Sequence, residues 1–572
     1  MSPPIFRSAS RLAAWGFAVA SLAACNFAQT GNEAGNDAAL ETSALPDVTV
    51  PDLSLDTMKT LVGELASDAF EGRMPGTPGE EKTVALLTRE FAGAGLRPGN
   101  NGQWYQDVPL VEITAKNVSP LTFTGGKTDM TLNYGSDFVA SSYRVTDKIA
   151  VADSDVVFVG YGIVAPEKKW NDYAGVDVKG KTVVILVNDP DWQTKGNEGQ
   201  FNGRAMTYYG RWTYKYEEAA RQGAAAAIIV HDTEPAAYGW NVVESSWTGP
   251  QNVADADNNH MDATAANGWI QLDKAKKLFA SAGQDFDKLR AAAKQPGFKA
   301  VPLGVKASLS FDNVIKKTLS KNVIGILPGK TRPNEYVLYT AHWDHLGRCG
   351  ADASGDDICN GAVDNATGAA ALVALAKAHV SQGPADRTIV FIALTAEESG
   401  LLGSAYYAAN PVFPLGQTVG GVNMDALSAA GPAKDLVVVG RGKSELDRYL
   451  EKAAKDNGRV LTDEPTPEKG YYYRSDHFSF AKLGVPMLYF ESGEDLLKGG
   501  VAAGKKAAED YTKHRYHAPS DEVTDDWNWD GMMADLKVYY EVGRMLAMTT
   551  AWPNWNAGDE FRKARDESRP SS

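Results

Sequence analysis

The C-terminal half of the chain carries side chains that bind hard or borderline metal ions, grouped in short clusters. These are Ala341-His342-Trp343-Asp344-His345, Val363-Asp364-Asn365, Ala396-Glu397-Glu398, Met424-Asp425 and Tyr516-His517. None contains a thiolate. Oxygen and imidazole donors without sulfur suit zinc in a catalytic role, with manganese or cobalt as substitutes. The charge favours a pair of ions: three carboxylates (Asp364, Glu398, Asp425) and one hydroxide balance two Zn²⁺, and His342 and His517 complete the shells. Two-metal hydrolases hold their ions close together, so one carboxylate must bridge. Adjacent side chains in an extended segment point in different directions, so Glu397 and Glu398 divide their work. One ligates; the other stays free to take a proton from the attacking water, which a partly desolvated carboxylate can do near neutral pH.

The elements that must position these groups are strands alternating with helices. Apolar runs at 336–340, 388–394, 418–424 and 485–490 predict strands, and 366–379 predicts a helix. That alternation is the pattern of a doubly wound α/β domain. Three of the polar clusters directly follow such a strand, and in open α/β sheets the ligand crevice lies beyond the carboxyl ends of the strands. Upstream, periodic apolar residues over 53–65 and 80–96 predict two helices, separated by a turn at Arg73-Met74-Pro75-Gly76-Thr77-Pro78-Gly79. Between about 149 and 297 the texture changes. Buried-strand runs at 156–159, 182–187 and 224–230 alternate with helical stretches, and no cluster there has catalytic character.

The ordered set of clusters resembles the M28 family of di-zinc peptidases. His342 is similar to the family's first ligand, Asp364 to the bridging aspartate, Glu398 to the ligand of the ion opposite His342, and Asp425 and His517 to the remaining ligands. Glu397 matches the general base. Asp344 matches the carboxylate that orients His342 from behind, a common arrangement for metal-bound imidazole. Within Tyr471-Tyr472-Tyr473-Arg474-Ser475-Asp476-His477, Tyr472 matches by offset a tyrosine that donates to the tetrahedral intermediate, with Tyr473 as the equal alternative and an aromatic pocket wall as the plain one. His345, His477 and His514 are placed outside the metal shell. Residues around 53–110, with Glu71-Gly72-Arg73, resemble the family's N-terminal helical part, and 149–297 resembles an inserted protease-associated (PA) domain.

The resemblance implies an α/β fold: a doubly wound mixed-sheet zinc-peptidase domain with an inserted β-rich PA-like domain. The expected boundaries are 53–148 for the first part of the peptidase domain, 149–297 for the insert, 298–550 for the catalytic part and 551–572 for a C-terminal tail. The implied activity is hydrolysis of the N-terminal peptide bond by a bridging hydroxide, with two zinc ions per chain and peptide substrates. Carboxypeptidases, one-zinc glutaminyl cyclases and receptor-like proteins that lost their metals share the fold and remain alternatives.

The N-terminus predicts export. Arg7 and Arg11 precede an uncharged apolar run over 12–24, too short for a permanent membrane span but suited to a signal peptide over 1–24. It ends in Leu22-Ala23-Ala24-Cys25, which resembles a lipobox whose cysteine is lipidated; the alternative is ordinary cleavage nearby. Asn26 follows, not aspartate, which points to an outer-membrane lipoprotein facing the periplasm or cell surface. Residues 25–52 are small and polar and predict a flexible tether. With Cys25 acylated, Cys349 and Cys359 remain and predict a disulfide in an oxidising compartment. The net charge of −15 over 572 residues excludes nucleic acid as a partner and leaves the lipid as the only link to a membrane.

Overall fold

The computed structural model describes residues 44–569; the expected signal peptide, the expected lipobox with Cys25 and most of the expected tether lie outside them. Leu45–Ser572 forms one compact unit. The tether ends earlier than 52, because Leu45, Val48 and Val50 already pack against the main core.

Helix α1 (Leu55–Leu65) starts at Ser54, whose hydroxyl accepts the Thr57 amide, and turns Met58, Leu61, Val62 and Leu65 inward. Helix α2 (Pro78–Gly93) has proline at its first turn and buries Leu86, Leu87 and Phe91. Strand β1 (Tyr105–Lys116) then leads away to a second core. Strands β2 (Lys148–Phe158) and β3 (Thr182–Leu186), helix α3 (Trp212–Arg221), and strands β4 (Ala226–His231) and β5 (Ala266–Gln271) follow, then helices α4 (Leu272–Ser281) and α5 (Phe286–Ala293). Strands β2, β3, β4 and β5 run parallel in that order, so this region is an α/β layer as much as a β one. Its core takes in Leu121, Phe123 and Phe138 before the expected start at 149, and Leu303, Leu309 and Phe311 after the expected end at 297. Leu121, Phe123 and Phe138 belong to strands of four residues, too short to stand out in the sequence, and Leu303, Leu309 and Phe311 to the first half of the long strand Val301–Leu327.

Strand β6 (Val301–Leu327) explains why the two cores form one unit. Its first half pairs with β2, its middle with β1 and its end with β8 (Arg387–Leu394). The main sheet runs β6, β8, β7 (Arg332–His342), β9 (Thr418–Asn423), β10 (Met487–Ser492). Strands β7 to β10 are parallel to one another, and β6 is antiparallel to β8, which makes the sheet mixed. Every residue of β8 is buried, as expected for a parallel strand covered on both faces. One face carries α6 (Thr367–Ser381), apolar almost all round because α1, α2 and α7 (Asp530–Met548) cover its outer side. Phe480, Val485 and Tyr407 cover the other.

The expected tail at 551–572 is part of the fold through Ser568. Trp555 and Phe561 are buried, the Trp555 indole donates to Gly484 O at 2.9 Å, and Arg565 donates to Thr418 O and Val419 O.

Candidate metal centre

Register brings the clusters together. His342 pairs with Leu394 across β7 and β8, so Glu397 and Glu398 emerge just past the same edge. Thr340 pairs with Asn423 across β7 and β9, and two residues further along each parallel chain stand His342 and Asp425. Asp364 sits in the turn before α6. Gly361, at φ 54°, opens that turn, and any Cβ there would strike both Asp364 O and the His345 ring. His517 follows the helix Gly500–His514 and stacks on Tyr516 at 3.8 Å.

The geometry divides about Asp364. Its Oδ1 lies 3.2 Å from His342 Nε2, which is 3.1 Å from Asp425 Oδ1. Its Oδ2 lies 3.4 Å from His517 Nε2, which is 3.1 Å from Glu398 Oε2. One carboxylate thus faces two separate donor groups, one oxygen to each. A cation-sized cluster of His342, Asp364 and Asp425 shares Asp364 with a second cluster of His345, Asp364 and Glu398. His345 and His517 approach different oxygens of Glu398: His345 Nδ1 meets Oε1 at 2.6 Å, and His517 meets Oε2.

The electrostatics show how strongly the site demands positive charge. Burial opposes charge on His342, yet Asp425, Glu397 and hydrogen-bonded Asp344 and Asp364 hold its pKa well above the usual histidine range. His517 is likewise pushed up to about 10 by Glu398 and Asp364 against its burial. Burial also opposes ionisation of Glu398 and Asp364. The paired histidines nevertheless hold Glu398 at about 2 and Asp364 well below the usual carboxylate range. Divalent metal would supply the same charge and release those protons, the ordinary linkage of metal binding to ligand deprotonation. The donor types, the shared carboxylate and this charge demand fit a pair of zinc ions. Glu397 faces none of the histidine nitrogens closely, and burial raises its pKa well above the normal carboxyl range.

The surrounding groups fix the ligands. Asp344, fully buried, lies behind His342, with its carboxylate 3.7 Å and its backbone oxygen 3.1 Å from Nδ1. The same carboxylate accepts the amides of Glu397 and Glu398 at 3.1 and 3.4 Å, so it aligns imidazole and glutamate pair at once. Ser475 donates to Asp425 Oδ2 at 2.6 Å and is held by Asn423. Asp521 accepts the amides of Val363 and Asp364. Arg73, fully buried, donates to the carbonyls of Leu65, Trp343, Asn360 and Gly361, and so clamps the His342 and Asp364 segments together. Cys349 and Cys359 are joined, Cα to Cα 5.8 Å, and Gly72 packs so closely on Cys359 O and Gly347 O that no side chain fits. The disulfide loop therefore rests on the Arg73 turn.

Tyr472 is placed differently from its expected role. Its hydroxyl is buried with no hydrogen-bond partner among the described residues, its ring packs on His477, Tyr473 and Phe561, and its charged neighbours include Asp559, Glu560, Asp447 and Lys443. Tyr473 donates to Glu560. An offset in sequence fixes where a residue lies along a turn but not which way it faces. Tyr516 lies in the field of Asp364, Glu398 and Glu397, and Tyr511 in that of Asp364 and Asp425.

The family model "Peptidase family M28" matches residues 322–540, a stretch that contains every ligand candidate and Glu397. Residues 322–540 belong to peptidase family M28. Over 139 residues the chain is 30% identical to "Aminopeptidase NAALADL1" of Mus musculus, covering 23% of this chain and 17% of that protein. "Glutamate carboxypeptidase 2 homolog" of Caenorhabditis elegans is 25% identical over 308 residues, 45% of this chain and 35% of that one. The chain thus spans well under half the length of these curated relatives. Among solved structures, "Aminopeptidase from Aneurinibacillus sp. strain AM-1" is 21% identical with a TM-score of 0.48, covering 87% of this chain and 95% of that one.

Proposed function

We propose that the chain is a zinc-dependent exopeptidase that removes the N-terminal residue of peptides. The observation that carries the reading is Asp364, whose two oxygens face His342 with Asp425 on one side and His517 with Glu398 on the other. These five residues would hold two zinc ions, and bound zinc supplies Lewis-acid polarisation of the scissile carbonyl and a water acidic enough to attack at neutral pH. The chain's own residues do the rest. Glu397 takes the proton from the attacking water and delivers it to the leaving amine, and its burial, which raises its pKa, makes it a stronger proton acceptor than a solvated carboxylate. Asp344 holds the Glu397 amide and the His342 ring in the orientation this needs. Glu491, at the end of β10, accepts the Tyr489 hydroxyl and lies in the field of Asp425. It offers the substrate's free ammonium a carboxylate outside the ligand set.

The test is hydrolysis of three versions of one peptide, followed by mass spectrometry with and without chelator: both ends free, N-acetylated, and C-amidated. Stepwise loss from the N-terminus of the free and amidated peptides, abolished by acetylation and by chelator, supports the reading. Loss from the C-terminus establishes a carboxypeptidase instead. Export as a lipoprotein is proposed from Leu22-Ala23-Ala24-Cys25. Wild type should partition into detergent and Cys25→Ser should not; a soluble wild type beginning at another residue refutes it.

A further inference from the structure

The second core carries a cleft of its own, lined by none of the metal-centre residues. It opens to solvent and holds about 60 Å³ of interior space beneath its mouth. Its position follows from topology. Strands β2 to β5 run parallel, and the residues that leave their carboxyl ends form its floor: Tyr161 after β2, Leu186 and Val187 at the end of β3, Asp232 after β4 and Leu272 after β5. This is where open α/β sheets bind ligands.

The walls divide by chemistry. Tyr161 and Phe286 are buried and, with half-buried Trp192, form an apolar slot. The rim carries both charges. Asp232 lies 3.2 Å from Arg290 of α5, which also pairs with Asp287 at 3.1 Å. Lys294, one turn further on, meets the side-chain oxygen of Gln193 across the mouth. All of these rim groups are at least partly accessible, and among the described residues Lys294 has no ion-pair partner within 4 Å.

We propose that this cleft binds a free α-amino acid with an apolar side chain, its ammonium on Asp232, its carboxylate on Lys294 and Arg290, and its side chain in the slot between Tyr161, Trp192 and Phe286. Asp232 and Arg290 are paired with each other, so a ligand with one charge only would draw one of them away and leave the other without its counter-charge. A zwitterion matches both, and the aromatic floor selects what hangs from its α-carbon. Such an amino acid is the product of the proposed reaction, so the cleft would report product to the enzyme. That last step rests on the proposed function; the binding does not.

Calorimetric titration of the full chain with L-phenylalanine tests this. The same titration of a Glu398→Ala chain, whose metal centre is disabled, separates the cleft from product bound at the catalytic zinc. Binding should persist in Glu398→Ala, and should weaken about tenfold or more in Lys294→Ala and in Asp232→Asn, the range for losing one charged hydrogen bond. N-acetyl-phenylalanine and phenylalanine amide should each bind about tenfold or more weakly to the unaltered chain, which keeps the test independent of how the variants fold. No binding to either chain, binding lost in Glu398→Ala alone, or blocked ligands that bind as well as phenylalanine would each overturn the proposal. Because no turnover is read, failure of the aminopeptidase reading leaves this result interpretable.

Discussion

Replacing Arg73 by lysine isolates a residue that touches no ligand atom yet should govern the whole metal centre. The guanidinium is fully buried and makes four hydrogen bonds to backbone carbonyls: Trp343 at 2.9 Å, Leu65 at 2.7 Å, Asn360 at 2.5 Å and Gly361 at 2.9 Å. Burial lowers its pKa only to about 10, because Asp344, Asp521, Asp364 and Glu398 lie around it, so it stays charged at neutral pH. A lysine ammonium keeps the charge but radiates its donors from one atom and cannot reach Trp343 and the Asn360–Gly361 pair together. Losing two of the four charged hydrogen bonds costs about 3–6 kcal/mol, at about 1.5–3 kcal/mol each. The Arg73→Lys protein should unfold at correspondingly lower denaturant. It should also release zinc at about tenfold lower chelator, because His342 and Asp364 are no longer held in register. Denaturant titration of the zinc-loaded protein and chelator competition read by a zinc dye measure the two effects separately. Stability within about 1 kcal/mol of wild type with unchanged zinc release would refute the reasoning, since it would show that the carbonyls find other donors.

Three further outcomes follow from the same geometry. Glu397→Gln should keep zinc and lose on the order of 10²–10⁴-fold in turnover, whereas Glu398→Ala should lose zinc; the reverse phenotypes would exchange the roles of the pair. Reducing Cys349–Cys359, which closes a loop of sequence separation 10 against the Arg73 turn, should cost roughly 2–3 kcal/mol and accelerate zinc loss; an unchanged melting temperature in reductant would show the loop is held without it. Burial pushes the carboxyl of Asp172 up from 3.8 to about 7, so its stabilising contribution is complete below pH 3.8 and is lost as pH rises through about 7. Across that window the melting temperature should decline less steeply in Asp172→Asn than in wild type, and equal slopes would contradict the assignment.

All the ligand clusters but that of His517, which comes after the helix Gly500–His514, were legible because they follow a strand end or open a helix, and parallel register carries such positions to one edge. His342, Glu398 and Asp425 are read this way, and Asp344 two residues on. The groups that hold them are not. Arg73 lies some 270 residues from Trp343, Ser475 some 50 from Asp425, and Asp521 some 157 from Asp364, and no local period links them. His345 sits beside His342 in sequence, but that Nδ1 meets Glu398 depends on how tightly Gly361 lets the turn close. Tyr472 shows the opposite failure, an offset that fixes position without direction. The segment over 551–572 is expected as a C-terminal tail, yet three of its side chains, Trp555, Phe561 and Arg565, are buried beside β9 and Gly484.

Anomalous diffraction at the zinc edge, on crystals of the zinc-loaded protein, tests the central claim most directly. The account predicts two peaks about 3.5–4 Å apart, one among His342, Asp364 and Asp425 and the other among Asp364, Glu398 and His517. A single peak, or a second peak bound through His345 with His517 turned away, would contradict it.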